Sequence, residues 1–344
     1  MREKRAMDGR RRRFLLVQRP RGWPRAEDFA LIEEPIPPLA EGEFLVENWY
    51  ASLDPAIRGW LDDRPSYLPP VPLGEAVRAT TVGVVAESRH PDYPVGRWVV
   101  GLNAIETHSV ARPGGFTSLV DVTQVDSPTR FLSVLGAVGL TAWFGLHEVG
   151  RPRPGETVLV TAAAGAVGSL VGQLARLQGC RTVGIAGGPD KCRRLLERYG
   201  YDAAIDHRGK DAAALAQEVR AAALDGVDVV FENVGGPSLE AGLLHLNRHA
   251  RVVLCGLIAE YNAPEPVGAR NLWQLIVKSA RIEGFLVSDF LPRFAEGTKA
   301  LARLLAQGRI VVDEHVEDGL DRAYPAFLRL FEGTNEGKLI LKIR

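Results

Sequence analysis

Apolar and polar positions divide the chain into two textures. From Phe14 to about residue 132 the apolar runs are short: "RFLLVQ", "EFLVENWYAS", "TTVGVVAES" and "RWVVGLN". Pro- and Gly-rich breaks such as "EEPIPPLAEG" and "RPSYLPPVPLGE" separate them. Short, irregular, Pro-bounded strands predict a barrel-like or partly open β domain. The texture changes near residue 133. "SVLGAVGLTAWFGLHEVG" reads as an amphipathic helix of small and aromatic residues, and "RPRPGE" as a turn. Apolar strands then alternate with amphipathic helices. The strands are "TVLVTA", "RTVGIAG", "DAAID", "VDVVFEN", "ARVVLCG" and "RIEGFLV". The helices after them are predicted over 167–177, 190–198, 212–223, 238–246, 271–278 and 293–307. Such alternation predicts an α/β fold with a parallel sheet covered on both faces, the doubly wound class. The last stretch, "IVVDEHVEDGLDRAYPAFLRLFEGTNEGKLILKI", returns to short strands around one helix.

Length and charge narrow the picture. A chain of 344 residues suggests two domains. Its 42 basic and 42 acidic residues cancel, whereas a duplex nucleic-acid binder usually shows a basic excess. No apolar run reaches the roughly 18 residues of a membrane span. Cys180, Cys192 and Cys255 are too few and too scattered for a disulfide framework, which fits a reducing, cytoplasmic compartment. They show no metal-ligand spacing. His245 and His249 have the spacing of a ligand pair on a helical face. No third ligand type lies near them, so a helix end running into the next strand is the plainer reading. The opening "MREKRAMDGRRRRF" carries a run of arginines but no apolar h-region, so it is not a secretory signal. Residues 1–13 are expected to form a basic tail ahead of a first strand at Phe14.

The first strand of the alternation leads into Ala163-x-Gly165-x-x-Gly168, a dinucleotide fingerprint whose first glycine is alanine. Gly165 would let backbone approach a pyrophosphate, and Gly168 would let the helix pack on its strand. Free N–H groups and the positive dipole end make Gly165, Ala166, Val167 and Gly168 the candidate cradle. The motif is weak alone and gains weight from its place at the first βα turn. The next strand chooses the cofactor. An NAD site wants a carboxylate at its end, but "VGIAGGPDKCRR" ends in Ala186-Gly187-Gly188 and then offers Lys191, Arg193 and Arg194. A 2′-phosphate needs cations and room, so NADP(H) is the better fit. A lysine in a first helical turn opposes the macrodipole, which argues for a functional reason. Asp190 is the competing candidate, able to hold a 2′-hydroxyl, although at a helix start it already has a structural task.

At this point the chain resembles the zinc-free medium-chain dehydrogenase/reductases. Within them it is similar to the prostaglandin reductase and leukotriene B4 12-hydroxydehydrogenase family of NADPH-dependent alkenal/one reductases, with its curcumin-reductase-like relatives. The resemblance rests on "YASLDPAIRGW", "LGAVGLTAWFGL", "VLVTAAAGAVGSLVGQLARLQGC", "GIAGGPDKC", "FENVGG", "CGLIAEYN", "RIEGFLV" and "EGTNEGKLIL", in family order. It implies a GroES-like catalytic domain from 14–132 and 309–344 around a Rossmann domain over 133–308. It further implies that Lys191 meets the 2′-phosphate and that Asn233 lies near the adenosine side. Cys255, Gly256, Ile258, Tyr261 and Asn262 would line the cofactor, Phe285 and Val287 the nicotinamide region, and Asn335 would reach in from the returning tail. Two positions depart from the family. His207 stands where Tyr is frequent, and as a 2′-phosphate contact a histidine can replace it. Ala56 also stands where Tyr is frequent, which reshapes the substrate pocket. The cysteine ligand cluster of the zinc-dependent relatives is absent, so Lewis-acid-assisted alcohol oxidation loses its chemistry.

The reaction implied is reduction of a carbon–carbon double bond conjugated to a carbonyl, with hydride going to the β-carbon and an enolate forming. Tyr261 is the candidate donor to the enolate oxygen, sharing the work with a cofactor ribose hydroxyl. Tyr261 or water would return the proton to the α-carbon. The competing role for Tyr261 is to order its loop. Trp49, Tyr50, Trp60, Tyr67 and Trp143 are candidates for an apolar enone pocket, and each is also a core candidate. A zinc-free quinone reductase and a non-catalytic NADPH-binding protein are the alternatives. The resemblance implies a homodimer. No nucleic-acid or membrane partner is expected.

Overall fold

In the computed structural model, which describes residues 9–265 and 267–344, the Pro-bounded apolar runs pair as antiparallel strands. β1 (Arg10–Leu16) pairs with β2 (Phe29–Pro35). β3 (Phe44–Ser52), the short α1 (Ile57–Trp60), β4 (Arg78–Ser88), β5 (Trp98–Ala104), β6 (His108–Ala111) and β7 (Ser118–Val120) follow. β3 alternates buried and half-buried residues along part of its length, and it takes β4 on one edge and β6 alongside.

The second texture forms a parallel sheet. Its elements are α2 (Ala137–Phe144), β8 (Thr157–Val160), α3 (Ala166–Leu177), β9 (Arg181–Ala186), α4 (Pro189–Glu197), β10 (Ala203–Asp206), α5 (Ala212–Ala222) and β11 (Val227–Glu232). They continue with α6 (Gly236–Leu244), β12 (Leu246–Leu254), α7 (Trp273–Val277), β13 (Arg281–Gly284) and α8 (Phe294–Ala306). The strand order is β10-β9-β8-β11-β12-β13, all parallel. The order reverses between β8 and β11, where such sheets take their ligands. Leu159, Val183, Val230 and Val252 from the strands pack with Leu215, Val219 and Leu239 from the helices. The sequence explains the stops as well. Gly188 and Gly235 turn the chain with φ +93° and +82° into Pro-containing helix starts, and the Asp211 carboxylate caps α5 at Ala214 N–H. The helix expected over 133–150 is helical from Ala137 and widens to a π-helical turn over Gly145–Gly150.

The chain then adds β14 (Glu314–Asp318), α9 (Ala323–Glu332) and β15 (Lys338–Lys342). β15 enters the antiparallel sheet, whose order is β14-β15-β3-β4-β5-β7. Ala326 and Phe327 of α9 share a core with Phe14, Ile57, Trp60 and Leu339. Two compact units result. One holds the chain up to Leu132 with Val316–Glu332 and Leu339–Arg344. The other holds Ser133–His315 and Gly333–Lys338. The expected return to the first unit at residue 309 therefore falls at 316, and the segment Gly333–Lys338 goes with the Rossmann unit.

The basic tail needs a correction. Residues 1–8 lie outside the described residues, but the strand begins at Arg10, not Phe14. Arginine side chains are long enough to continue a strand while their charges are met from elsewhere. Arg11 and Arg13 are only 12% and 11% exposed. Both reach Glu34 (2.7 and 3.0 Å) and Glu106 (3.7 and 2.9 Å), and Arg13 also reaches Glu75 (2.7 Å). Arg12 pairs with Asp321 and Arg10 with Glu33. These charges are used inside the fold, so the run is not a free basic arm. Glu106→Ala should cost about 2 kcal/mol of stability, because it removes the most buried partner of two nearly buried guanidinium groups and leaves them Glu34 and Glu75 alone. Urea denaturation checks this; a loss under about 1 kcal/mol would show that the cluster is water-screened.

Candidate cofactor-binding site

β8 ends at the reversal point, and the loop after it is shaped by contact limits. Ala162 carries φ +47°, an uncommon conformation for a residue with a side chain. Gly165 then caps α3, with no side chain closing its first turn. The N–H groups of that turn are left for another acceptor. A Cβ on Gly168 would stand 2.5 Å from the Ala162 carbonyl oxygen and 2.8 Å from Ala163 Cα. Only glycine lets the helix approach its strand this closely. Tyr201 locks the same face: its hydroxyl donates to the Gly168 carbonyl (2.7 Å). Gly165 also bridges to Gly337, which brings the segment carrying Asn335 to the loop. Asn335 itself donates to Gly337 O and braces that turn. Gly165 to Gly168 thus set the start of α3 close against its own strand, with no side chain capping the first-turn N–H groups.

The end of β9 gathers the cations. Lys191 Nζ donates to the Gly333 carbonyl (2.8 Å). Burial pushes its ammonium below the ordinary value, and the charges of Arg208 and Arg194 push the same way. Desolvation likewise holds His207 below the usual imidazole range. Asp190 is engaged by Arg193 (2.6 Å) and Arg194 by Glu336 (2.7 Å), so the competing 2′-hydroxyl candidate is already spoken for on the surface of α4. Asp206 ends β10, but its Oδ1 accepts from Gly188 N–H (2.7 Å) and Arg208 N–H (3.0 Å). Asp206 thus spends one carboxylate oxygen on the backbone of this turn.

β11 ends in Glu232, which is fully buried. Its Oε1 accepts from Thr161 Oγ1 (2.9 Å), Val234 N–H (2.6 Å) and Gly235 N–H (2.7 Å). Its backbone carbonyl accepts from Cys255 and Gly256. Asn233 was expected near the adenosine side. Its amide donates to the Thr161 carbonyl (2.7 Å), and its backbone carbonyl accepts from Ile258 N–H. One strand end therefore ties the phosphate loop to the Cys255–Asn262 loop. Within that loop, Leu257 N–H donates to the Tyr261 hydroxyl oxygen (3.3 Å). Burial raises the Tyr261 phenol above its ordinary value and pushes the Cys255 thiol up to about 12. Both are protonated at neutral pH, and the Tyr261 O–H keeps its proton to donate.

The remaining candidate residues pack as follows. Phe285 packs against Gly145 and lies edge-on to Phe290, at 6.4 Å. Val287 opens the short helical segment Val287–Arg293. Trp60 belongs to the core of the first unit, edge-on to Tyr67. Trp49 packs on Trp98 (5.1 Å), Tyr50 joins the cluster around Val82, and Trp143 lies over His147 (4.1 Å). His245 and His249 share no helical face, since α6 stops at Leu244 and β12 starts at Leu246. Among the described residues no group of three His, Cys, Asp or Glu stands where it could hold a metal. The sequence reading missed Glu232, Tyr201, Asp206 and Arg208. "FENVGG" held the signal for Glu232: an acid inside an otherwise apolar strand needs buried partners.

The second carboxylate oxygen of Glu232 is buried with no hydrogen bond among the described residues. Burial pushes the group up to about 7 from 4.5, against the hydrogen bonds to its partner oxygen. The folded state thus keeps a proton that the unfolded chain releases near pH 4.5. The stability tied to this proton is full below pH 4.5 and falls by roughly 3 kcal/mol as pH rises through about 7. Glu232→Gln cannot titrate. The difference in unfolding free energy between the two proteins should therefore shift across this window, and parallel pH profiles would contradict the assignment.

Comparison with known proteins fits this geometry. Residues 12–119 match the family described as the N-terminal domain of oxidoreductase, and residues 166–306 the family described as zinc-binding dehydrogenase. The chain is 39% identical to an NADPH-dependent curcumin reductase of Escherichia coli, over 97% of each chain. It is 35% identical to a 2-alkenal reductase (NADP(+)-dependent) of Nicotiana tabacum, over 94% of each. The crystal structure of CurA in complex with NADPH from Vibrio vulnificus superposes with a TM-score of 0.91, at 39% identity, over 97% of this chain and 99% of that one. The glycine cradle, the Rossmann strand order and full-length similarity above 30% converge: the chain belongs to the zinc-free medium-chain dehydrogenase/reductase family, alongside the curcumin and 2-alkenal reductases.

Proposed function

We propose that this protein reduces the carbon–carbon double bond of apolar α,β-unsaturated ketones and aldehydes with NADPH. Gly165, Ala166, Val167 and Gly168 would hold the pyrophosphate, and Lys191 with His207 the 2′-phosphate. The fit rests on the uncapped first turn of α3, on its close approach to β8 at Gly168 and on a desolvated lysine held by a backbone carbonyl. When bound there, the nicotinamide supplies a hydride for the β-carbon.

The chain's own contribution is to hold and donate a proton. The observation that carries this is Tyr261. Its oxygen accepts from Leu257 N–H and its pKa is raised, so the O–H is oriented outward from that bond and stays protonated. A preorganised phenol of this kind can donate to the oxygen that becomes an enolate and thereby lower the barrier. Backbone bonds of Cys255, Gly256 and Ile258 to Glu232 and Asn233 hold the loop that presents it, and Asn233, Cys255, Gly256, Ile258, Asn262, Phe285, Val287 and Asn335 would line the cofactor. The names of the relatives favour an enone or enal over a quinone as substrate.

A homodimer joined at the β13 edge belongs to the same proposal. All four residues of β13 are exposed, and an open parallel-sheet edge calls for cover. Trp273, Ile276 and Val277 of the adjoining α7 are 67%, 68% and 54% exposed, an apolar patch of the kind that marks an interface. A second copy fits by charge: antiparallel pairing about Ile282 sets each Arg281 opposite the other copy's Glu283. The three unpaired cysteines suit a cytoplasmic setting.

Two outcomes follow. Tyr261→Phe should lower kcat on an enone about 100-fold, with NADPH affinity within about twofold of wild type. Unchanged turnover would remove Tyr261 from the chemistry. Ile276→Asp should convert a dimer to a monomer in sedimentation velocity, and a wild-type monomer at micromolar concentration would refute the β13 interface.

A further inference from the structure

The turn Gly187-Gly188 is held under two side chains from the next strand. A Cβ on Gly187 would stand 3.0 Å from His207 Nε2. One on Gly188 would stand 2.8 Å from Arg208 Nη1 and 2.9 Å from its Cζ. The guanidinium of Arg208 therefore lies directly on the backbone at the end of β9. Asp206 fixes it there, since a single carboxylate oxygen accepts from both Gly188 N–H and Arg208 N–H. The two turns cannot move apart without breaking that brace.

The neighbouring cations are neutralised. Arg193 pairs with Asp190, Arg194 with Glu336, Arg198 with Asp313 and Lys210 with Glu218. Lys191 and Arg208 are different: among the described residues neither pairs with a carboxylate. Lys191 has only the Gly333 carbonyl. These two positive charges are close enough for that of Arg208 to weaken the hold of Lys191 on its proton. Two cations held together by a braced turn, with Asp206 and Glu336 acting on them only at longer range, repel one another, and a bound anion relieves that repulsion. A planar guanidinium beside an ammonium suits a phosphate dianion: the first gives a two-pronged contact, the second a point charge.

Building on the NADPH reading, we propose that Arg208 is a second cation of the 2′-phosphate site and sets, with Lys191, the preference for NADPH over NADH. Arg208 recognises the phosphate as a fork from the β10 side. Lys191 meets it from the first turn of α4. Asp206 acts as a positioning residue through the backbone of both turns. In a conventional NAD site an acid at this level would face the ribose; here the acid is turned into the fold and organises cations instead.

Equilibrium binding tests this without turnover. The full-length protein is titrated with NADPH and with NADH by nicotinamide fluorescence. 2′-Phosphoadenosine 5′-phosphate and adenosine 5′-phosphate serve as competitors. Arg208→Gln should raise the Kd for NADPH about tenfold or more and leave NADH within about twofold. It should also flatten the salt dependence of NADPH binding and erase the advantage of the 2′-phosphorylated competitor. Arg208→Lys should recover only part of the affinity. Retained NADH binding shows that each variant is folded. Wild-type protein that binds NADH as tightly as NADPH would overturn the cofactor reading itself. Wild-type protein that prefers NADPH, with Arg208→Gln keeping that preference or losing both cofactors equally, would overturn the Arg208 assignment alone.

Discussion

The approach of α3 to the end of β8 is the constraint on which the candidate site depends. With 2.5 Å between a hypothetical Gly168 Cβ and the Ala162 carbonyl oxygen, the helix start can sit where it does only if that atom is missing. The approach aims the helix's free N–H groups and its positive dipole end at one spot. It also explains why Ala162 tolerates a positive φ: the loop must turn within a few residues to meet the helix. Tyr201, from the far end of α4, holds the arrangement by its hydroxyl on Gly168 O. Any residue with a side chain at 168 would push the helix away and misplace the whole cradle, a displacement to which bound-ligand geometry is sensitive.

Glu232 plays a comparable part on the other side of the reversal point. One of its carboxylate oxygens satisfies three donors from two segments, which is a rigid arrangement in a low-dielectric interior. The same burial disfavours its ionised form. The phosphate loop and the loop bearing Tyr261 thus share a support that sits apart from the groups proposed to do chemistry. The support lies at the strand ends, where the sheet already brings β8 and β11 together.

Much of this was legible in the sequence, and what escaped has a physical pattern. The six strands and their helices follow from apolar periodicity, which is local; α3, α4 and α5 begin and end within a residue of their predicted limits. His245 and His249 were correctly read as a helix end and the next strand. Lys191 stood out because a lysine in a first turn is out of place electrostatically. The failures depend on partners distant in sequence. "RRRR" looked like a solvated tail because Glu34, Glu75, Glu106 and Asp321, which neutralise it, lie far along the chain. Arg208 sits in an ordinary-looking "DHRG", and only the pairing of β10 with β9 brings it over Gly188.

The placement of β15 carries a consequence for how the molecule comes into being. The six parallel strands of the Rossmann sheet are encoded in one continuous stretch and can associate as soon as Gly284 has been synthesised. The antiparallel sheet cannot close until β15, an interior strand paired with β3 through Ile340–Ser52 and Leu341–Ala51, has followed that whole stretch. During vectorial synthesis the Tyr50–Ser52 edge of β3 therefore waits, open, while the Rossmann stretch emerges. Early release or C-terminal clipping would leave that strand edge as a site for mispairing with other chains.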